Sequence, residues 1–378
     1  MKKQIFGFFS AVLILSTITP VEIKATTTAN APSFTPITGK EMMKKLSLGL
    51  NLWGYFSWKN YGDLSGLSLE FAGQGVKAAP QQFKFMAERG FTFVRFQVCW
   101  APHLDKQNNI DKAWLDRVEE VINYALDAGL YVILNAYYGP DEKDAGAITY
   151  NEVWTYLSAI WQQTAERFKS HSERLIFDIM NEPHSEGWDV GSDASAVVNR
   201  LNADALKIIR KSGGYNKKRV VLLPTAGAST DSLALQHYVF PNDKYCMASI
   251  HSYTPWWFCL GEEAGSYSKR DKNHAQFSDK AAQEIYELFR RLKQMLTSRN
   301  IPFVMGETGA VNKNNLQERL KWVDIFMSEA GKAGMPTGIH SDVLHYRVFD
   351  YASLQWTDPE YLNAIFDTYK TNKGISTK

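Results

Sequence analysis

Three cysteines, Cys99, Cys246 and Cys259, are the only thiols in this 378-residue chain. So few, and an odd number, exclude a disulfide framework, and their spacing fits no zinc cluster. A Cys246–Cys259 bridge is conceivable, but buried free thiols are the expected state. Net charge is nearly absent as well, at +2. Residues 1–25 hold Lys2, Lys3 and Lys24 against Glu22, so without them the balance falls to zero. Neither nucleic acid nor an anionic membrane is an expected partner for such a chain, and a neutral polymer suits it better. No glycine-rich phosphate fingerprint follows the first strand and no metal-ligand motif occurs, so no cofactor and no metal are expected. Internal repeats, low-complexity linkers and a second domain are also missing.

No apolar run is comfortably long enough to cross a membrane. The longest, Ile5 to Ile18, follows Lys2 and Lys3 and leads to small-residue sites at Ala25 and at Ala29-Asn30-Ala31. It reads as a secretory signal over residues 1–25, cleaved between 25 and 31, and implies a secreted or periplasmic protein without a membrane anchor. Residues 26–40 are polar and weakly periodic and read as an N-terminal tail. Residues 41–378 remain for one domain, which is expected to be monomeric.

In that domain short apolar runs alternate with amphipathic ones. Strands are expected over 48–52, 91–98, 130–135, 175–180, 219–223, 245–251, 303–306 and 337–340. Helices are expected over 80–89, 111–127, 151–169, 194–211, 231–237, 279–299, 316–333 and 359–371. Eight strand–helix pairs with short connections predict an α/β fold, a single closed (β/α)8 barrel of the TIM type. A doubly wound open sheet is the alternative, weakened by the missing phosphate fingerprint.

Two strand ends carry carboxylates. The run Ile176-Phe177-Asp178-Ile179-Met180 leads into Asn181-Glu182-Pro183, where proline cannot continue a ladder. Phe303-Val304-Met305-Gly306 leads into Glu307-Thr308-Gly309. Two glutamates at the C-terminal ends of two barrel strands suit a two-carboxylate glycosidase.

With these motifs the chain resembles glycoside hydrolase family 5, retaining β-glycanases with a barrel fold, over roughly residues 45–370. Arg95 matches the family's arginine at strand two, Asn181-Glu182-Pro183 its strand-four motif, His251-x-Tyr253 its strand-six motif and Glu307 its strand-seven nucleophile. The resemblance implies Glu307 as nucleophile and Glu182 as acid/base. Arg95 would favour ionised Glu307, Tyr253 would bond one of its oxygens, His251 would tune Glu182, and Asn181 would bond the sugar 2-hydroxyl. Two positions depart from the family pattern. Tyr137 stands where most members have a histidine after strand three, and His340 where most have a tryptophan flooring the cleaving subsite. Both fall in the sugar pocket and not on the carboxylates.

Aromatics after the strand ends, among them Trp53, Tyr55, Phe56, Trp58, Trp100, Trp188, Trp256 and Trp257, are candidate sugar platforms or loop packing. The expected activity is retaining endo-hydrolysis of β-1,4-linked glucan, cellulose-type or mixed-linkage, with a β-linked polysaccharide or oligosaccharide as partner. β-Mannanase, xyloglucanase and a catalytically impaired carbohydrate-binding barrel are the alternatives.

Overall fold

The structure, a computed structural model, describes residues 33–58, 64–71, 74–137, 149–185, 188–260, 275–343 and 345–374. The expected signal and the first part of the tail lie outside the described residues. Eight parallel strands close a barrel in chain order: β1 (Leu48–Leu52), β2 (Phe93–Cys99), β3 (Tyr131–Tyr137), β4 (Leu175–Asp178), β5 (Val221–Pro224), β6 (Cys246–His251), β7 (Phe303–Thr308) and β8 (Thr337–Ser341). A small antiparallel pair, β9 (Phe349–Asp350) and β10 (Gln355–Trp356), follows β8.

The helices are α1 (Gly39–Lys45), α2 (Pro80–Arg89), α3 (Lys112–Asp127), α4 (Tyr150–Phe168), α5 (Ser192–Lys211), α6 (Ser232–Gln236), α7 (Trp256–Cys259), α8 (Asp279–Leu292), α9 (Leu316–Lys332) and α10 (Pro359–Lys373). Local chemistry sets their ends. Pro80 opens α2, whose fixed φ suits a first helical position, and Gly90 closes it at φ 105°. Asp111 caps α3 through Trp114 N–H, and Ser278 caps α8 through Ala281 N–H. Apolar faces of these helices pack on the outside of the barrel and form its main core.

Helix α1 was not expected and straddles the anticipated tail boundary at residue 40. A capping box between Thr38 and Glu41 starts it. With Ile37 and Leu46, its Met42 joins a second apolar cluster with Phe93, Ile133, Ile176, Val220, Leu222, Met247 and Val304. These strand residues stand at the N-terminal end, so the short helix closes the barrel floor.

Strand β4 ends two residues before the expected limit. Its last pairs are Phe177 with Val221 and Asp178 with Leu222. The carbonyl of Ile179 then accepts the indole N–H of Trp161 at 3.1 Å and leaves the ladder. The ladder therefore stops well before Pro183. All three cysteines are buried and none forms a disulfide, so the Cys246–Cys259 alternative is not formed.

Candidate active site

Inward-facing residues near the C-terminal ends of the strands are polar, and one arginine joins them. Arg95 on β2 is fully buried. It donates through Nε to Asp178 Oδ2 at 2.9 Å and through Nη1 to Asn51 Oδ1 and Glu307 Oε1, both at 2.8 Å. Through Nη2 it donates to Asn181 Oδ1 at 2.9 Å. Burial opposes its charge, yet Asp178 and Glu307 hold its pKa above the ordinary value. Its planar fork thus sets the positions of residues from β1, β4, β7 and the segment after β4.

Asn181 is oriented by this contact. Its Oδ1 accepts from Arg95, so its amide NH2 is left as the group to donate to a ligand hydroxyl. Glu307 receives further donors: Gln97 Nε2 to Oε1 at 2.6 Å and Tyr253 OH to Oε2 at 3.0 Å.

Glu182 has different surroundings. Its side chain is 23% exposed and has no direct bond to Arg95 among the described residues. Burial in the pocket wall pushes its carboxyl up to about 7, against the opposing charge of Arg95. His251 Nδ1 lies 2.6 Å from Glu182 Oε1. Burial drives His251 down to about 3, so the ring is neutral and the contact is a hydrogen bond, not an ion pair. Nδ1 can donate to ionised Glu182 and accept from protonated Glu182, since Nε2 is buried without a partner among the described residues.

Carboxylate oxygens of Glu182 and Glu307 and a ring nitrogen of His251 all lie within 4.8 Å of one another. Such a cluster could ligate a cation on distance alone. The guanidinium 2.8 Å from Glu307 opposes a second positive charge there, and the short carboxylate separation suits a retaining glycosidase pair.

Backbone irregularity aims Glu307 inward. On the β6–β7 ladder Ile250 pairs with Met305 and His251 with Glu307, so Gly306 is passed over. The β7–β8 register also shifts between Met305 and Thr308. A bulge of this kind turns a side chain to the other face. Gly306 is needed there because a Cβ would meet His251 Nε2 at 2.8 Å.

Of the two departing positions, His340 approaches Glu307, and Tyr137 ends β3 on the strand face of Asn135. His340 pairs with Asn51 across β8 and β1, and its Nδ1 lies 2.8 Å from Asn51 Nδ2 and 3.7 Å from Glu307 Oε2. Arg95 already fixes the Asn51 oxygen, so Asn51 NH2 donates and Nδ1 accepts. With Nδ1 accepting, the ring N–H sits on Nε2. Its ring stands edge-on to Tyr253 and Tyr346. Tyr137 is buried, and its hydroxyl accepts from Trp53 Nε1 at 3.3 Å. Trp257 stands half-exposed on α7, which follows β6.

The other aromatics divide. Tyr55, Phe56 and Trp100 are wholly buried and pack as core, as loop packing requires. Trp188 and Trp256 are exposed. Trp188 stacks on His184 with ring centroids 3.7 Å apart, and His184 Nδ1 is 2.7 Å from the Glu182 carbonyl. Asn51, Gln97, Asn135 and Asp178 join the site without belonging to any of the matched motif positions. Their signal was available: Gln97 is two residues from Arg95, and Asn135 two from Tyr137, so each pair shares the inward face.

Burial also pushes Asp178 up to about 6, partly offset by Arg95. Tyr253 is raised well above the usual phenol range by burial and by Glu307, so it remains a donor.

The family model described as Cellulase (glycosyl hydrolase family 5) matches residues 58–334. Endoglucanase A of Clostridium longisporum is 30% identical over 326 residues, 84% of this chain and 60% of that protein. The chain thus spans less than two thirds of that relative. A GH5-4 broad specificity endoglucanase from Ruminococcus flavefaciens superposes with TM-score 0.80 at 29% identity, over 89% of this chain and 99% of the other. A glycoside hydrolase 5 lichenase from Caldicellulosiruptor sp. F32, in complex with cellotetraose, does so with TM-score 0.78 at 28% identity, over 90% and 97%. With its closed eight-stranded barrel and its match over most of its length, the chain belongs to glycosyl hydrolase family 5.

Proposed function

We propose that the protein is a retaining endo-β-glucanase acting on β-1,4-linked glucan, cellulose-type or mixed-linkage. The observation that carries this is the pair Glu182 and Glu307, within 4.8 Å and in unequal surroundings. Glu307 is held by the Arg95 cation and two neutral donors, which orient its oxygens for attack on the anomeric carbon. Glu182, up to about 7, starts protonated and gives its proton to the leaving oxygen. In the second step Glu182 takes a proton from water, water attacks the anomeric carbon, and the C–O electron pair returns to Glu307. Asn181 donates to the sugar 2-hydroxyl, a bond that strengthens as charge develops on the ring.

Names of relatives support the substrate: endoglucanase, broad specificity endoglucanase, and lichenase with cellotetraose. Exposed Trp188, Trp256 and Trp257 suit stacking on further glucosyl units. The protein acts as a secreted monomer, exported by the segment over residues 1–25. Among the described residues no helix is long and apolar enough to cross a membrane. The test is release of reducing ends from soluble cellulose derivatives and mixed-linkage glucan, beside glucomannan and xyloglucan. Turnover of the glucans, lost in E307A, is expected. Binding of these polymers without any release would favour a carbohydrate-binding barrel instead.

A further inference from the structure

Gln97 repeats, with a neutral group, the double contact that Arg95 makes with a charged one. Both reach Glu307 Oε1, Arg95 at 2.8 Å and Gln97 at 2.6 Å. Both also reach Asn181 Oδ1, Arg95 at 2.9 Å and Gln97 at 3.4 Å. Gln97 is 2% exposed, and its own Oε1 is buried without a partner among the described residues. Leaving a buried acceptor unpaired is costly, so the amide is oriented by what its NH2 group gains. The opposite orientation would set its oxygen 2.6 Å from a carboxylate oxygen.

The two oxygens of Glu307 are consequently unlike. Oε1 accepts from two close donors, whereas Oε2 accepts from Tyr253 OH at 3.0 Å. We infer that Gln97 is a positioning residue that reserves Oε2 for attack and keeps Oε1 as the carbonyl oxygen of the glycosyl ester. This rests on the retaining reading above. In the first step the bond from the anomeric carbon to the leaving oxygen breaks and a bond to Oε2 forms. In the second step water displaces Oε2, and the electron pair spreads over the carboxylate. Donors on Oε1 stabilise that departing carboxylate, so Gln97 assists the second step. In the first step the same donor stabilises the starting carboxylate and assists little.

The variants Q97M and Q97E separate this role from a merely structural one. On a dinitrophenyl β-cellobioside the leaving group needs no acid, so breakdown of the intermediate is expected to limit kcat. Losing a hydrogen bond to a charged group should lower kcat roughly 10- to 100-fold in Q97M. KM should fall nearly in parallel, kcat/KM should change less than about threefold, and covalent glycosyl-enzyme should accumulate in intact mass spectra. Relative to the native enzyme at the same pH, Q97E should recover kcat as pH falls, because a protonated acid donates where an ionised one repels. An unfolded variant could not show that recovery. Unchanged kcat in Q97M, or a loss of kcat/KM as large as the loss of kcat, would overturn the inference. E307A keeps the two readings apart. If it retains native activity, the retaining mechanism fails and the role of Gln97 with it. If it is inactive while Q97M behaves as native, only the role of Gln97 fails.

Discussion

The floor and the mouth of the barrel are built from the same strands, two residues apart, and they have opposite chemistry. On β2 the inward face runs Phe93, Arg95, Gln97; on β3 it runs Ile133, Asn135, Tyr137. On β4 Ile176 gives way to Asp178, and on β6 Met247 is followed by Ser249 and His251. One step of the pleat, about 6.6 Å, separates an apolar layer from a charged one. Strand β7 breaks the pattern instructively. From Val304 at the floor, alternation would turn Gly306 inward and Glu307 out. The bulge that passes over Gly306 corrects the parity and delivers Glu307 to the pocket. The floor, sealed by α1, supports the fold. The mouth gathers buried charge, which is costly unless paired, and devotes it to chemistry.

The sharpest way to break this contrast lies in the mouth. E307A should lose at least about 10⁴-fold in kcat on every substrate, since no covalent intermediate can form. E182A should lose about 10²- to 10⁴-fold on substrates with poor leaving groups. With an activated aryl glycoside it should keep the first step, and azide should restore turnover by replacing the water that Glu182 assists. Equal losses for both variants across leaving groups would remove the division of roles.

Stability should separate the two ends next. R95M strands Asp178 and Glu307 without their cation and should cost roughly 3–5 kcal/mol in urea unfolding, with activity lost as well. M42A opens a cavity at the floor and should cost about 2–4 kcal/mol. Its kcat/KM should stay within a few fold of native wherever it is folded. A large loss of activity in M42A would mean that floor and mouth are not independent.

The pH dependence sharpens the contrast between the two glutamates. Glu182 is raised from 4.5 in the unfolded chain to about 7 when folded. A raised acid contributes stability fully present below its unfolded pKa and lost as pH rises through its folded pKa. Native stability relative to E182Q should therefore decline between about pH 5 and pH 8. Asp178, shifted in the same direction, titrates in both proteins and cancels. In the native enzyme kcat/KM on unactivated glucan should fall above about pH 7. A flat difference between native and E182Q would show that the Glu182 carboxyl is not desolvated.

The smallest effect is expected at His340. An imidazole offers less stacking area than an indole, so more binding energy must come from remote aromatic rings. The protein should prefer long oligosaccharides over short aryl glycosides, and H340W should narrow that preference by a few fold. Equal kcat/KM for disaccharide and hexasaccharide in the native protein would show that remote subsites do not compensate.

Much of this was legible in the sequence because barrel strands announce themselves as apolar runs between amphipathic helices. All eight strands fall where expected, within a few residues at their ends. The motifs include Arg95, Asn181, Glu182, His251, Tyr253 and Glu307, and the structure brings them to one place as two adjacent hydrogen-bonded sets. The rest was hidden for particular reasons. Helix α1 is seven residues long and lies beside a polar stretch, so it is visible only through its Thr38–Glu41 box. Asp178 and Gln97 sit inside runs dominated by apolar neighbours, and only the two-residue face rule exposes them. The end of β4 depends on an indole from α4, which no local pattern in β4 could reveal. Whether a loop aromatic becomes a platform or core depends on the packing around it, as the burial of Tyr55, Phe56 and Trp100 shows.

The central claim is that two close carboxylates in unequal surroundings perform double displacement at the mouth. The most direct test is the anomer first released from a cello-oligosaccharide, followed by proton NMR before mutarotation. Double displacement predicts the β-anomer first, with the α-anomer appearing only as the sugar equilibrates. An α-anomer released first would require single displacement through a water between the carboxylates and would contradict the account.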